Sequence, residues 1–191
     1  MDPYLAASRD AYRKSLKEGG ELLEGLSSDM LNWRPPEGGW SVAQCIAHLN
    51  TTNESYSASI AVAVDEARRL GWLARTPFKP GWLDRKFVES MEPPPKRKFK
   101  APAVFTPEMS NLDSSELRKR WIATHQQLLD LVERADQLDL KRAKVKSPAS
   151  RLLRLSLGAA FALMAAHDRR HLWQAKELLN VSGMSRSASR A

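Results

Sequence analysis

His167 and His171 stand four residues apart in the run MAAHDRRHLWQ. On a helix that spacing stacks both imidazoles on one face, one turn apart, where they can share a cation. Both fall in an apolar row in which Met164, His167, His171, Gln174 or Ala175 and Leu178 follow one another at steps of three and four. Two neighbouring imidazoles directed into a core need either separate hydrogen-bond partners or one metal that satisfies both. A third histidine, His48, lies in GWSVAQCIAHLN, where Ser41 and Gln44 match the Ser-x-x-Gln capping box that opens a helix. From that start Cys45, His48 or Leu49, Thr52, Tyr56 and Ser59 or Ile60 form an inward stripe, with His48 in it. Two helices thus each carry core-facing histidine. Ligation of a metal by His48, His167 and His171 is the expectation; three core histidines, each hydrogen-bonded on its own, are the alternative.

The elements that would position these rings are helices. The first runs from about Pro3 to Leu26, with Leu5, Tyr12, Leu16, Leu22, Leu23 and Leu26 on its apolar face. Gly19 and Gly20 weaken its middle by about 1 kcal/mol each relative to alanine, which invites a kink or break. After the turn-rich NWRPPEGGW, a second helix extends from Val42 to about Leu70. Between Gly71 and Leu112, seven prolines exclude continuous helix, although LDRKFVESM suits a short one. This stretch reads as a crossover packed over the bundle and covering part of a pocket. A third helix opens at Asp113 or Ser114. The fourth follows the basic run KRAKVKSPASRLLR, opening at Ser147-Pro148 or, preferably, at Ser156, and ends near Asn180. No strand-like alternation of useful length appears. The fold class expected is all-α: a four-helix bundle over residues 1–181, with a long Pro-rich crossover between helices two and three and a short basic tail over 182–191.

Composition narrows the function. With 191 residues and 42% hydrophobic side chains, one domain can bury a sizeable core. Cys45 is the only cysteine, which excludes an intrachain disulfide. The N-terminus lacks a basic start followed by an apolar run, so a cytoplasmic protein is expected. LGAAFALMAA, at 157–166, is about half the length of a membrane span and reads as a buried helix segment. The net charge of +8 comes from scattered clusters at 85–86, 96–100, 118–120 and 141–154. They read as solvated faces; without a nucleic-acid motif beside them, nucleic acid is not the expected partner.

The runs LNWRPPEGGWSVAQCIAHL and AAHDRRHLWQAKELL, with the Pro-rich connector between them, resemble the DinB-like superfamily, four-helix bundles that include the bacillithiol and mycothiol S-transferases. The resemblance covers almost the whole chain. It implies that a helix-two histidine and a helix-four His-x-x-x-His pair, here His48, His167 and His171, bind a divalent metal, commonly zinc or nickel, with coordination positions left open. Three neutral imidazoles suit such a metal on chemical grounds and leave its full positive charge on the ion. The resemblance further implies a metal-dependent transferase that activates a low-molecular-weight thiol toward an electrophilic small molecule, with a homodimer as a further expectation. A metal-dependent hydrolase and a non-catalytic metal-binding module are the alternatives.

Around the triad, Cys45 reads as a small buried hydrophobe and His125 as a boundary histidine without a metal role. Asp168 and Gln174 flank the ligand pair and can orient an imidazole, although Asp168, beside Arg169 and Arg170, equally suits solvent. Trp33, Trp40 and Trp121 read as core filling. Trp82 and Phe87, on the connector, are the candidates for closing over a ligand. No catalytic base is identifiable from the residues alone.

Overall fold

The computed structural model describes residues 1–95, 101–107, 111–150 and 152–182. Four long helices form the bundle: α1 (Pro3–Glu24), α3 (Val42–Arg69), α5 (Ser114–Arg134) and α6 (Leu157–Ser182). Their starts follow local chemistry. Asp2 accepts from Tyr4 N–H ahead of a first-turn proline, Ser41 and Gln44 close a full capping box, and Asp113 accepts from Glu116 N–H. Ser156 Oγ accepts from Ala159 N–H at the opening of α6. Residues 183–191, nearly all of the expected tail, and the basic run at 96–100 lie outside the described residues.

The helices do not pack in chain order. α1 contacts α5 and α6, and α3 contacts the same two, so α1 faces α3 across one diagonal and α5 faces α6 across the other. Consecutive elements more often lie side by side. Both diagonal steps need extra chain, and each is occupied by structure that the sequence reading lacked. The first holds a short helix, α2 (Ser28–Asn32), capped by Ser27. The second holds an antiparallel hairpin of β1 (Lys144–Lys146) and β2 (Arg154–Ser156), with Val145 opposite Leu155 and both buried. The expectation of no strands is therefore corrected. Three-residue strands are too short for a period of two to stand out, and their pairing depends on residues eight to twelve positions apart.

The crossover between α3 and α5 does pack over the bundle. Its short helix α4 (Trp82–Glu89) lies on α6, and a 3-10 turn at Ala103–Phe105 lies on α3. No break interrupts α1 at the glycine pair. Gly19 is there for clearance: a Cβ on it would lie 2.4 Å from Cε2 of Trp121, whose buried indole donates to the Leu16 carbonyl.

The core is split. One apolar cluster gathers Leu5, Tyr12, Ile60, Val64, Leu128 and Phe161; the other gathers Leu22, Leu31, Ile46, Leu49, Trp121 and Leu172. Between them, at one level of all four bundle helices, lie Ser15, Asn50, Thr52, Asn53, Thr124, His125, Asp168 and His171, all buried. Buried polar groups hold their place only when hydrogen-bonded, so this belt is where the chain's chemistry concentrates.

Candidate metal centre

α3 and α6 bring His48, His167 and His171 together, each with a ligating atom within 4.8 Å of the other two. His48 Nε2 lies 3.2 Å from His167 Nε2, and the three ring centroids are 4.6 to 5.0 Å apart. His48 and His171 are buried and His167 half-buried.

Two of the rings are oriented from outside the cluster. His48 Nδ1–H donates to the Phe105 carbonyl at 2.7 Å, and His171 Nδ1–H donates to Gln174 Oε1 at 3.0 Å. Since a carbonyl oxygen only accepts, both Nδ1 atoms carry the proton, and the Nε2 atoms of the neutral rings are left with lone pairs directed to the shared space. Burial lowers the pKa of all three. For His48 the Phe105 contact opposes it in part; His167 is pushed down well below the usual range by burial, then by His171, His48 and Arg170. His171 falls to about 3, through burial first and His48 next, with Gln174 opposing. At neutral pH the rings are therefore uncharged, the form that binds metal. Lone pairs of two neutral rings converge on a third with no acid between them, so the donor set fits a divalent cation.

Trp40 forms one wall, its ring centroid 4.8 Å from that of His48 and 5.8 Å from that of His171. Phe105 approaches His48 edge-on at 6.4 Å. Trp40, expected as core filling, does pack against the second apolar cluster and lies against two of the imidazoles as well; the covering expected of Trp82 and Phe87 is not found. Trp82 is 64% exposed, and Phe87 packs on the other apolar cluster. The crossover reaches the triad through Phe105, whose backbone oxygen carries no signature in sequence. Trp33 is half-buried, whereas Trp121 is fully buried in the second apolar cluster. Cys45 is also fully buried and joins the apolar cluster, its thiol pushed up to about 12 by burial.

Asp168 and His125 depart furthest from expectation. Neither is solvated or peripheral: both are 0% exposed. The Asp168 carboxylate accepts from His125 Nε2–H at 3.1 Å and from Asn53 Nδ2–H at 3.1 Å, and the other ring nitrogen of His125 faces the Trp121 carbonyl at 2.9 Å. This knot ties α6 to α3 and α5. Asp168 directly follows His167, about 100° further round the helix, so holding Asp168 in place sets the rotation that turns His167 and His171 toward His48. A bonding requirement between helices distant in sequence had no local signal.

The DinB superfamily profile matches residues 11–175 of the chain. The protein belongs to the DinB superfamily. A solved structure described as "YfiT from Bacillus subtilis is a probable metal-dependent hydrolase with an unusual four-helix bundle topology" is similar over 95% of this chain and 89% of that one, with a TM-score of 0.63 and 16% sequence identity. That likeness shows a shared fold. No curated protein sequence matches the chain. No helix among the described residues is long and apolar enough to cross a membrane.

Proposed function

We propose that this DinB-superfamily protein is a metal-dependent enzyme in which His48, His167 and His171 hold a divalent cation, zinc or nickel, and that it transfers a low-molecular-weight thiol to an electrophilic small molecule. The observation that carries this reading is the convergence of three neutral imidazoles within 4.8 Å, two of them with their proton fixed on the outer nitrogen. When bound, such a cation supplies a Lewis acid with open coordination positions, which makes a thiol or a water a competent nucleophile near neutral pH.

The chain's own residues prepare the site. Phe105 and Gln174 hold the tautomers, burial keeps the rings unprotonated, and Trp40 limits the approach of water. Among the described residues no carboxylate joins the triad, and Cys45 is sealed in the apolar cluster. The site therefore offers neither a protein nucleophile nor a carboxylate base. An exogenous thiol, already partly ionised at neutral pH, depends less on such a base than water does. Hydrolysis is the second reading, supported by the description of YfiT as a probable metal-dependent hydrolase.

The test is a parallel screen of zinc- and nickel-loaded protein: several small thiols with 1-chloro-2,4-dinitrobenzene, followed for the conjugate, and simple esters and amides without thiol. Conjugate formation that disappears in His171→Ala is the expected result. Ester or amide cleavage without conjugate would replace transfer by hydrolysis. Stoichiometric metal with neither activity would mark a non-catalytic binding module.

A further inference from the structure

A cavity lies at the end of the bundle away from the triad. Along α3 alone, His48 and Arg69 are about 30 Å apart at 1.5 Å per residue, and the cavity begins just past Arg69, where Gly71 turns the chain with φ 62°. It has a volume of about 1090 Å³ and is formed by residues 71–79 and 138–142 together with Asp2. That matches the upper end of the range for small-molecule sites.

Its walls are held by specific bonds. Leu73 and Leu138 form a β-bridge, Ala74 N–H donates to the Gln137 carbonyl at 2.9 Å, and Asp139 N–H donates to the Trp72 carbonyl at 2.7 Å. On the other side, Phe78 N–H donates to Asp2 Oδ2 at 2.7 Å, and the Phe78 ring fits against Gly158, where a Cβ would lie 2.5 Å from it.

The charge lining this cleft is mostly basic. On the bundle helices, basic side chains commonly meet carboxylates: Lys14 with Glu18, Lys17 with Glu21, Arg120 with Glu54, Arg134 with Asp65. Lining the cleft are Arg75, Lys79, Lys141 and Arg142, and none of the four forms an ion pair among the described residues. The two carboxylates present are engaged by backbone: Asp2 by Tyr4 and Phe78 N–H, Asp139 by Lys141 and Arg142 N–H. The Arg142 guanidinium is held over the Trp72 ring, 4.4 Å from its centroid, so one cation is already oriented.

We propose that this cleft binds a small organic phosphate, with Lys141 and Arg142 contacting the phosphate groups. Guanidinium and ammonium groups are suited to phosphate oxygens by charge and by donor geometry, and a cavity of this volume admits a ligand of nucleotide size. The site is independent of the triad.

Isothermal titration of the full chain with ADP and with inorganic pyrophosphate tests it. Saturable one-to-one binding of ADP is expected, weakened at least about tenfold by Lys141→Ala with Arg142→Ala. It is expected unchanged by Lys17→Ala with Lys119→Ala, an equal loss of charge elsewhere, and unchanged by His171→Ala. Pyrophosphate binding as tight as that of ADP would assign recognition to the phosphates; tighter ADP binding would add the organic part. Absence of saturable binding at millimolar ADP would overturn the proposal. So would indifference to the Lys141/Arg142 pair, or loss of binding in His171→Ala, which would place the phosphate on the triad.

Discussion

The polar belt holds two histidine clusters side by side, and they are built on opposite rules. Both ring nitrogens of His125 are occupied by protein neighbours: one meets the Asp168 carboxylate and the other the Trp121 carbonyl. His48 and His171 each spend one nitrogen on a carbonyl oxygen and turn the other toward a neighbouring ring. An imidazole with both nitrogens engaged has little to offer a ligand, whereas imidazoles that keep a lone pair in common space are able to hold a cation. Burial alone does not separate the two cases, since His125 is the more buried. The count of acceptors around each ring does.

The comparison predicts different losses on substitution. Asp168→Ala leaves His125 buried without its acceptor and removes the tie to Asn53; leaving a buried donor unsatisfied costs about 1–3 kcal/mol, read from the shift in urea midpoint. Asp168→Ala as stable as the parent would mean that the knot does not hold α6. His171→Ala should reverse the pattern: little change in the stability of metal-free protein, but metal affinity reduced by more than about 100-fold, since removing even an outer partner of a ligand costs 10–100-fold. Full metal content after dialysis of that variant would refute the ligand assignment.

Acid separates the clusters next. The pKa of His171 is lowered from the ordinary histidine value to about 3, so below about pH 6.5 the unfolded chain takes up a proton there that the folded chain refuses. Stability of the metal-free protein is therefore full above about pH 6.5 and is lost as pH falls from there toward 3. At pH 4.5 this ring alone accounts for about 2–3 kcal/mol. The check is a set of urea midpoints from pH 7.5 to 4.5, in which His171→Ala should show a shallower decline; an identical slope would contradict the burial of a neutral ring. Gln174→Ala has the smallest effect, a loss of metal affinity of about 10- to 100-fold, measured by competition with a chromogenic chelator. Gln174→Glu retains an acceptor and should lose less.

Much of the site could be read along the chain because its signals are local. A spacing of four residues places His167 and His171 on one face whatever else the helix touches, and the Ser41–Gln44 capping box sets the start of α3 and hence the phase of His48. Trp40 is the core aromatic that its neighbours suggest, but its contact with two imidazoles has no local signal. The solvated alternative for Asp168, suggested by Arg169 and Arg170, fails because its partners, His125 and Asn53, are 43 and 115 residues away.

By itself, then, the sequence determined the four helices, their caps and the three rings fit for a metal, because periodicity, capping and side-chain donors act within a few residues of each other. The diagonal arrangement of the helices, the Phe105 oxygen that fixes the tautomer of His48, the buried Asp168 and the basic cleft beyond α3 were decided only by tertiary structure. Each of these depends on which surfaces meet once the chain is compact. That is settled by burying apolar faces and satisfying polar groups across long separations, and no local pattern records it.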